Sequence, residues 1–271
     1  MKRLLGVLLV LALAFSLAAG GNVEASPDII GRLLGSLDIP GKVTGGLAVS
    51  GNLALVATSS GVLAIDVSDP ESPSIAGSAG AGGGACNVEV KDSNLAYALS
   101  EWSFHTVDIS NPGAIHSPGS VRVGGFVAGG YPAPFPYFGL SGDYAFILVD
   151  RLYYNQLSLL SVIDTTDPTN PNIISSRELQ DVYGRGEVEV ASSVAFVVSD
   201  GIHIFDVADP TNPVRLTSIG AMGEALGIEI HNNLAHIISK VDDTISLVTY
   251  DVSEPGIPVF LGAKEVGSAQ E

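Results

Sequence analysis

The 271-residue chain is strongly acidic, with 29 Asp and Glu against 12 Lys and Arg and a net charge of −17. This charge argues against nucleic acid and anionic membranes as partners, because both present phosphate surfaces that repel an acidic protein. Cys86 is the single cysteine, so the chain cannot form an internal disulfide. The hydrophobic content of 46% is sufficient for one domain that relies on its apolar core.

Residues 1–25 have the organisation of a signal peptide. Met1–Arg3 is basic, the following apolar run Leu4–Ala19 has 16 residues, and small residues continue to the expected cleavage site before Ser26. Cleavage at Ala19 or Gly20 is the alternative. The run is short for a membrane anchor, no cysteine follows it, and later apolar runs are broken by Gly, Pro or Asp. We therefore expect a secreted protein (extracellular, periplasmic or cell-surface) with no membrane span after cleavage.

A repeat built around an aspartate and a proline extends through the rest of the chain. The aspartate stands four residues before the proline, and successive aspartates are 42, 56, 42 and 45 residues apart. The pairs are Asp66 and Pro70, Asp108 and Pro112, Asp164 and Pro168, Asp206 and Pro210, and Asp251 and Pro255. Proline removes the next ladder donor and ends the strand, while the carboxylate accepts backbone N–H groups across the turn. We interpret these residues as structural and expect their turns to be buried. A ring of metal ligands is disfavoured, because single carboxylates at distant turns cannot converge on one ion.

Each repeat contains four strand-like segments, here named a to d, and no helical pattern. In the fourth repeat they are Glu187–Val190, Val194–Ser199, Ile202–Val207 and Val214–Ile219. Strand b carries an alanine followed by a larger residue in every repeat: Ala54-Leu55, Ala96-Tyr97, Ala145-Phe146, Ala195-Phe196 and Ala235-His236. The strands are apolar on both faces, as expected for sheets packed between two others. A repeat period of 42 to 56 residues built of strands predicts a propeller or a solenoid.

The segments Gly51–Ala57 and Val62–Pro70, followed by Pro73, resemble the LVIVD repeat of exported and cell-surface bacterial and archaeal proteins. The resemblance extends from about Val43 to Val266. It implies a β-propeller and no common set of catalytic residues. The second repeat departs from the pattern, since it lacks the second proline that the other repeats have.

The sequence therefore predicts an all-β fold, a β-propeller of about five four-stranded antiparallel blades, over residues 43–271. Residues 26–42 precede it as an N-terminal segment with one strand, Leu33–Ile39, which resembles a strand d such as Leu216–Gly220. Because Val259–Lys264 already supplies strand d of the last blade, an alternative is that the chain forms part of a six- or seven-bladed ring.

Loop lengths indicate a binding face. Antiparallel order places the b–c loops and the d–a crossovers on one face, and the interval from the strand-b alanine to the repeat aspartate is 12, 12, 19, 11 and 16 residues. Insertions on one face of a repeat protein often mark its binding surface. Aromatic and arginine side chains predicted there suit a protein or glycan partner, although residues 131–137 would alternatively pack as a lid. The candidate binding residues are Trp102, Tyr131, Tyr137, Arg151, Tyr153, Tyr154, Tyr183 and Arg185.

Three glutamates, Glu89, Glu189 and Glu229, share one position of strand a, which is the innermost strand of a blade. They are candidates to line an axial channel and to meet a cation or a polar ligand there. Alternatively, adjacent backbone N–H groups or water satisfy these carboxylates.

No catalytic motif was found in the sequence. Its five histidines are not expected to converge, although His105 and His203 share one repeat position in different repeats. Gly80–Ala85, which formally matches a dinucleotide fingerprint, precedes a strand and not a helix. We therefore expect no cofactor, no metal and no enzymatic activity. The sequence predicts a non-catalytic module for recognition or scaffolding of a protein or glycan. The alternative is an enzyme with its active site at the channel mouth, either polysaccharide-active or cofactor-using.

The mature protein is expected to begin at Ser26, because the basic start, the apolar run and the small residues before the site agree. The intact mass of the exported protein checks this expectation. A protein that retains residues 1–25 and sediments with membranes would contradict it.

Overall fold

The computed structural model describes residues 34–82, 84–100, 102–123, 138–149, 157–180, 182, 187–199, 201–220 and 223–268. Within these residues, twenty strands form five four-stranded antiparallel sheets, each with its strands in chain order. One turn of 3₁₀ helix, Pro112–Ala114, follows the seventh strand. The predicted all-β propeller with five four-stranded blades is confirmed.

The strands are numbered in chain order, and each successive group of four forms one blade. They are β1 (Val43–Ser50), β2 (Leu53–Thr58), β3 (Gly61–Asp66), β4 (Ser74–Ala79), β5 (Ala85–Val90), β6 (Leu95–Ser100), β7 (Ser103–Asp108), β8 (Ser120–Arg122), β9 (Phe138–Ser141), β10 (Tyr144–Val149), β11 (Ser158–Asp164), β12 (Asn172–Leu179), β13 (Glu187–Ala191), β14 (Val194–Val198), β15 (Ile202–Asp206), β16 (Val214–Ile219), β17 (Glu224–His231), β18 (Leu234–Val241), β19 (Thr244–Asp251) and β20 (Val259–Ser268).

The first strand of each blade is the innermost one. β1 contacts β5, β9 contacts β13, and β13 contacts β17, so the first strands of neighbouring blades meet near the axis. The fourth strands lie at the outer rim. This order places the b–c loops and the d–a crossovers on one face of the propeller, and the a–b and c–d turns on the other.

The alanine of strand b and the larger residue after it point to opposite sides of the blade and pack against different neighbours. Leu55 packs in one cluster with Ala96 of blade 2, and Tyr97 packs in the next cluster with Ala145 of blade 3. In the same way Phe146 meets Ala195, and Phe196 meets Ala235. All of these side chains are buried. Blades 1 to 4 therefore each place a large side chain over the alanine of the following blade.

Hydrogen bonds reinforce each interface between consecutive blades. Thr44 Oγ1 donates to the carbonyl of Ala85 between blades 1 and 2, and Tyr97 Oη donates to Thr165 Oγ1 (2.9 Å) between blades 2 and 3. Lys91 and Asp143 form an ion pair at the same interface. The remaining two interfaces are joined by Ser141 Oγ to Ser192 O (2.9 Å), Arg177 Nη1 to Pro213 O (2.8 Å) and Ile228 N to Glu187 Oε2 (3.1 Å).

All five repeat aspartates make the same turn contact. Each carboxylate accepts the backbone N–H of the residue two positions later, at 2.9 Å; the donors are Ser68, Ser110, Thr166, Ala208 and Ser253. These accepted hydrogen bonds lower the pKa of Asp66, Asp108 and Asp251 below the usual value. The expectation of buried turns is wrong, since the aspartates are exposed or half-exposed. Strand c ends at the edge of the sheet, where the turn faces solvent.

A second backbone contact fixes the position of this turn. The residue after each aspartate donates its N–H to the a–b turn of the same blade, as Val67 does to the carbonyl of Asn52 (2.8 Å) and Val207 to that of Ser193 (2.9 Å). The repeat aspartate therefore shapes a turn that is tied to the neighbouring hairpin.

Two expectations from the sequence differ from the structure. Residues 34–39 do not form a strand, because no described strand lies beside them to pair with; Leu37 and Ile39 instead pack on the outer face of blade 1. The longer b–c interval in the fifth repeat is not a longer loop. It is taken up by longer strands, β18 and β19, which pair up to Val241 and Thr244 across a two-residue turn with Asp242 at a φ of 50°.

Asp206→Ala is expected to lower the melting temperature by about 2–4 °C, because the N–H of Ala208 loses its acceptor in a turn open to water. Asp206→Asn is the matched control, since its amide oxygen can accept the same bond and should retain the wild-type value. Thermal unfolding followed by circular dichroism measures both variants. Equal losses in the two would contradict this role for the carboxylate.

Candidate functional site

Of the eight candidate residues on the b–c face, Trp102 lies within the described part of the chain. Tyr131, Tyr137, Arg151, Tyr153, Tyr154, Tyr183 and Arg185 lie outside the described residues. The structure therefore defines one point of the predicted binding face, at the b–c turn of blade 2.

Trp102 is half-exposed, and the guanidinium carbon of Arg122 lies 5.3 Å from the centroid of its ring. Arg122 is the last residue of β8, on the outer strand of the same blade. The backbone is fixed as well, because Val123 N donates to the carbonyl of Trp102 (3.0 Å). A cation over an indole face restrains the ring while leaving guanidinium N–H groups for other acceptors. This pair combines an oriented aromatic surface with a positive charge.

His105 does not contribute an exposed group to this face. Its ring is buried, and Nε2 lies 3.2 Å from Ser100 Oγ. Burial lowers its pKa, so the neutral ring is favoured. His203, at the same repeat position in blade 4, is likewise buried and contacts Ser218 and Arg215. The two histidines lie in different blades and form no joint site.

The axial position brings together four carboxylates from three blades. Glu89, Glu189 and Glu229 pair across their blades with Tyr97, Phe196 and His236, the large residues of strand b. Glu187 joins them, since it stands two residues before Glu189 on the same side of β13. Glu187 lies outside the single repeat position that defined the predicted axial set. The alternation of side chains along a strand was the signal that would have revealed it.

The environment of Glu89, Glu187 and Glu189 disfavours ionisation. The pKa of Glu89 is raised to about 7, mainly by burial and to a lesser extent by the charges of Glu187 and Glu229. Burial also raises the pKa of Glu189 to about 7, with contributions from Glu229, Glu187 and Glu89. The pKa of Glu187 is raised by burial too, although its bond from Ile228 N acts in the opposite direction. At neutral pH Glu89 and Glu189 are therefore partly protonated.

This arrangement supports proton exchange and hydrogen bonding more than metal coordination. In the described part of the chain, no group of three or more His, Cys, Asp or Glu is placed to hold a metal ion. Carboxyl groups with a pKa near 7 can both donate and accept hydrogen bonds at neutral pH. A polar ligand beside Glu89 and Glu189 would meet both kinds of group.

The turn face carries a shallow groove between blades 1 and 2. It is lined by Asn52 and Asp66 of blade 1 and by Ser93, Ile109 and Ser110 of blade 2. The carboxylates of Asp66 and Asp108 already accept the N–H groups of their own turns. The groove therefore has the character of a junction between turns, without a set of convergent free polar groups.

The axial carboxylates should make stability depend on pH. The pKa of Glu89 and Glu189 rises from 4.5 to about 7 on folding, so their favourable protonated state is complete below about pH 4.5 and is lost as the pH rises through 7. We expect the melting temperature to fall between pH 5 and 8. The double variant Glu89→Gln, Glu189→Gln should flatten this decline and be more stable at pH 8 by about 1–2 kcal/mol per residue, allowing for partial solvent screening.

The control for this experiment is Glu178→Gln on β12, whose side chain is exposed. It should leave the pH dependence of the wild type unchanged. An equally steep decline in the double variant would show that Glu89 and Glu189 do not cause the pH dependence, which would contradict the prediction.

The fold and the repeat agree with comparisons to known proteins. The family model of the LVIVD repeat matches residues 41–79 and 82–122, which contain blades 1 and 2. No curated protein matches the chain. No helix in the described residues is long and apolar enough to cross a membrane.

Solved structures with a similar fold differ strongly in sequence. A functionally unknown protein from Desulfotomaculum acetoxidans DSM 771 is 13% identical, with a TM-score of 0.65 over 87% of this chain and 74% of that chain. The computationally designed Ika8 protein is 11% identical, with a TM-score of 0.59 over 83% of this chain and 62% of that chain. BamB from Moraxella catarrhalis is 13% identical, with a TM-score of 0.55 over 86% of this chain and 68% of that chain.

At these identities the similarity concerns the fold alone, and this chain spans less than two thirds of the designed protein. The match to the repeat, the five sheets and the order of their strands lead to one conclusion. The chain carries LVIVD repeats and folds as a β-propeller with five four-stranded blades.

Proposed function

We propose that the protein is an exported, non-catalytic propeller that binds a protein or glycan partner on its b–c face. Export is supported by the basic, apolar and small-residue order of residues 1–25. Binding is supported by the position and chemistry of the Trp102–Arg122 pair.

The observation that carries the proposal is a half-exposed indole held in place by a cation. An exposed tryptophan that only filled space would have no need for restraint on both its ring and its backbone. Trp102 has both, through Arg122 above the ring and Val123 at its carbonyl. Pre-ordered aromatic and arginine side chains contribute most to binding energy because little entropy is lost when a partner docks.

The charge distribution is consistent with such a role. The chain has 12 Lys and Arg against 29 Asp and Glu, so a basic residue beside an exposed aromatic is uncommon in this protein. The sequence places Arg151 and Arg185 on the same predicted face. Arginine donates paired hydrogen bonds to carboxylates, carbonyls and sugar hydroxyls, which suits a protein or glycan surface.

An enzyme with its active site at the channel mouth is the second candidate. The observation that favours it is the pKa of about 7 for Glu89 and Glu189, since a general acid or base works best when its pKa lies near the ambient pH. Such an enzyme would act through the axis and would not depend on Trp102. The two candidates therefore predict different sensitive residues.

Trp102→Ala and Arg122→Ala should each leave the melting temperature close to that of the wild type and weaken binding at least about ten-fold. A further variant, with Tyr153, Tyr154 and Arg185 changed to Ala, tests the residues that the sequence assigns to the same face. Ligands would first be sought on a glycan array and by cross-linking to cell-surface proteins. Titration calorimetry would then compare each variant with the wild type.

The matched controls are Ser72→Ala and Ser93→Ala, which lie exposed on the opposite face. These variants should bind as the wild type does. Loss of binding in the controls alone would refute the assignment of the binding face. Turnover of the ligand by the wild type, abolished by Glu89→Gln or Glu189→Gln, would establish the enzyme instead.

A further inference from the structure

Blade 5 exposes an apolar face. The equivalent faces of the other four blades are buried. Ile238 on β18 and Leu247 on β19 lie side by side on the face turned away from blade 4, and both are half-exposed. The equivalent pairs are Ala57 with Val62, Leu99 with Phe104, Leu148 with Leu160, and Val198 with Ile202, and each of these residues is at most 4% exposed. His236, in the position of Leu55, Tyr97, Phe146 and Phe196, is also half-exposed. The face has the pattern of an interface between blades without a following blade.

Blade 1 shows the complementary feature on its own outer side. Leu47 on β1 is 41% exposed, and it pairs with Val56 on the side turned away from blade 2. Its counterparts in the other four blades are Val88, Phe138, Val188 and Ile228, which are 1%, 3%, 1% and 7% exposed. In those blades the preceding blade covers this position. In blade 1 the inner part of the face is left open.

The outer part of the same face is covered by residues 34–39. Leu37 and Ile39 pack against Ala54, Val56, Leu63 and Ile65, all of which are buried. Gly35 lies so close to the carbonyl of Pro70 that a Cβ would collide with it. The same close contact occurs between Gly77 of β4 and the carbonyl of Pro112 in the following blade. It also occurs between Gly119, before β8, and the carbonyl of Pro168 in the following blade. Residues 34–39 therefore occupy the place of a fourth strand from a blade that precedes blade 1.

The fourth strand of blade 5 also lacks contact with a following blade. Gly262 on β20 pairs with Thr249, as Gly77 pairs with Ala64, so the two glycines hold equivalent positions. A Cβ at Gly262 would meet no described atom within 4 Å. The turn of a following blade, which stands against Gly77 and Gly119, is absent from this position in the described structure.

We propose that the open faces of blades 5 and 1 form a docking site for a segment of three antiparallel strands of LVIVD-type sequence. These strands would pair with residues 34–39 and so complete a sixth blade. Both faces of the added strands would be apolar, and their second strand would place an alanine against His236.

A second copy of this chain is a poorer occupant than such a strand segment. In the described structure all twenty strands already belong to complete four-stranded sheets, so a second copy has no three-stranded sheet to offer. Packing of two open faces would also leave residues 34–39 without a hydrogen-bonding neighbour. A three-stranded segment satisfies both apolar faces and the unpaired fourth strand at once.

The test uses the chain's own repeat as the probe. A copy of residues 187–206, which contain the first three strands of blade 4, is added after Glu271 of the full mature chain through a short Gly-Ser linker. We expect the melting temperature to rise by about 5 °C or more, and the binding of the dye ANS to fall about two-fold, as the apolar faces become covered. The control carries Val197→Asp and Ile204→Asp in the added copy, one on each of its faces, and should show neither change.

Two variants of the recipient chain identify the site. Ile238→Asp and Leu47→Asp lie on the open faces. Each should change the melting temperature of the parent protein little but abolish the increase in melting temperature that the added copy causes. If the fusion does not fold, the same three strands supplied as a synthetic peptide replace it, with the same variants. An unchanged melting temperature and ANS signal, or a gain that survives both variants, would refute the proposal. A stable wild-type dimer whose dissociation is caused by Ile238→Asp would assign the face to a second copy.

Discussion

The structure depends on one repeated contact, in which a large side chain of one blade covers the alanine of the next. Tyr97 over Ala145 and Phe146 over Ala195 are two examples, and all four residues are buried. Because the large residue directly follows the alanine along strand b, one dipeptide supplies both halves of the interface, one on each face of the sheet. Aromatic side chains bury a large apolar area, so these contacts hold the blades together without disulfides.

The axis follows a different rule, because the first strands of consecutive blades lie next to one another there. Glu89, Glu187, Glu189 and Glu229 accumulate there in a protein whose net charge is already −17. Protonation of Glu89 and Glu189 reduces the repulsion within this set, and Glu187 accepts the N–H of Ile228 from the neighbouring blade. The pKa of Glu89 and Glu189 is therefore raised at the axis, whereas backbone N–H groups lower the pKa of Asp66 and Asp251 in the turns.

Much of the fold could be predicted from the sequence, because the repeat reports strand ends directly. The strands of blade 4 were placed within one residue of their observed bounds. The interval between repeat residues, however, does not separate a longer loop from longer strands, which is why the fifth repeat was misread. The Trp102–Arg122 pair was missed for another reason. It joins the b–c turn to the end of strand d, and the register that brings them together is not visible in spacing alone.

The glycines of the outer strands have a consequence for how consecutive blades pack at the rim. At Gly35, Gly77 and Gly119 the backbone approaches a proline carbonyl of the next blade so closely that only a hydrogen atom fits between them. At the equivalent register, blades 3 and 4 carry Ser175 and Thr217, which require more room. A Cβ at Gly35, Gly77 or Gly119 would therefore require the neighbouring blade to move away at the rim. At these three positions the close packing of consecutive blades depends on a residue that lacks a side chain, far from the axis.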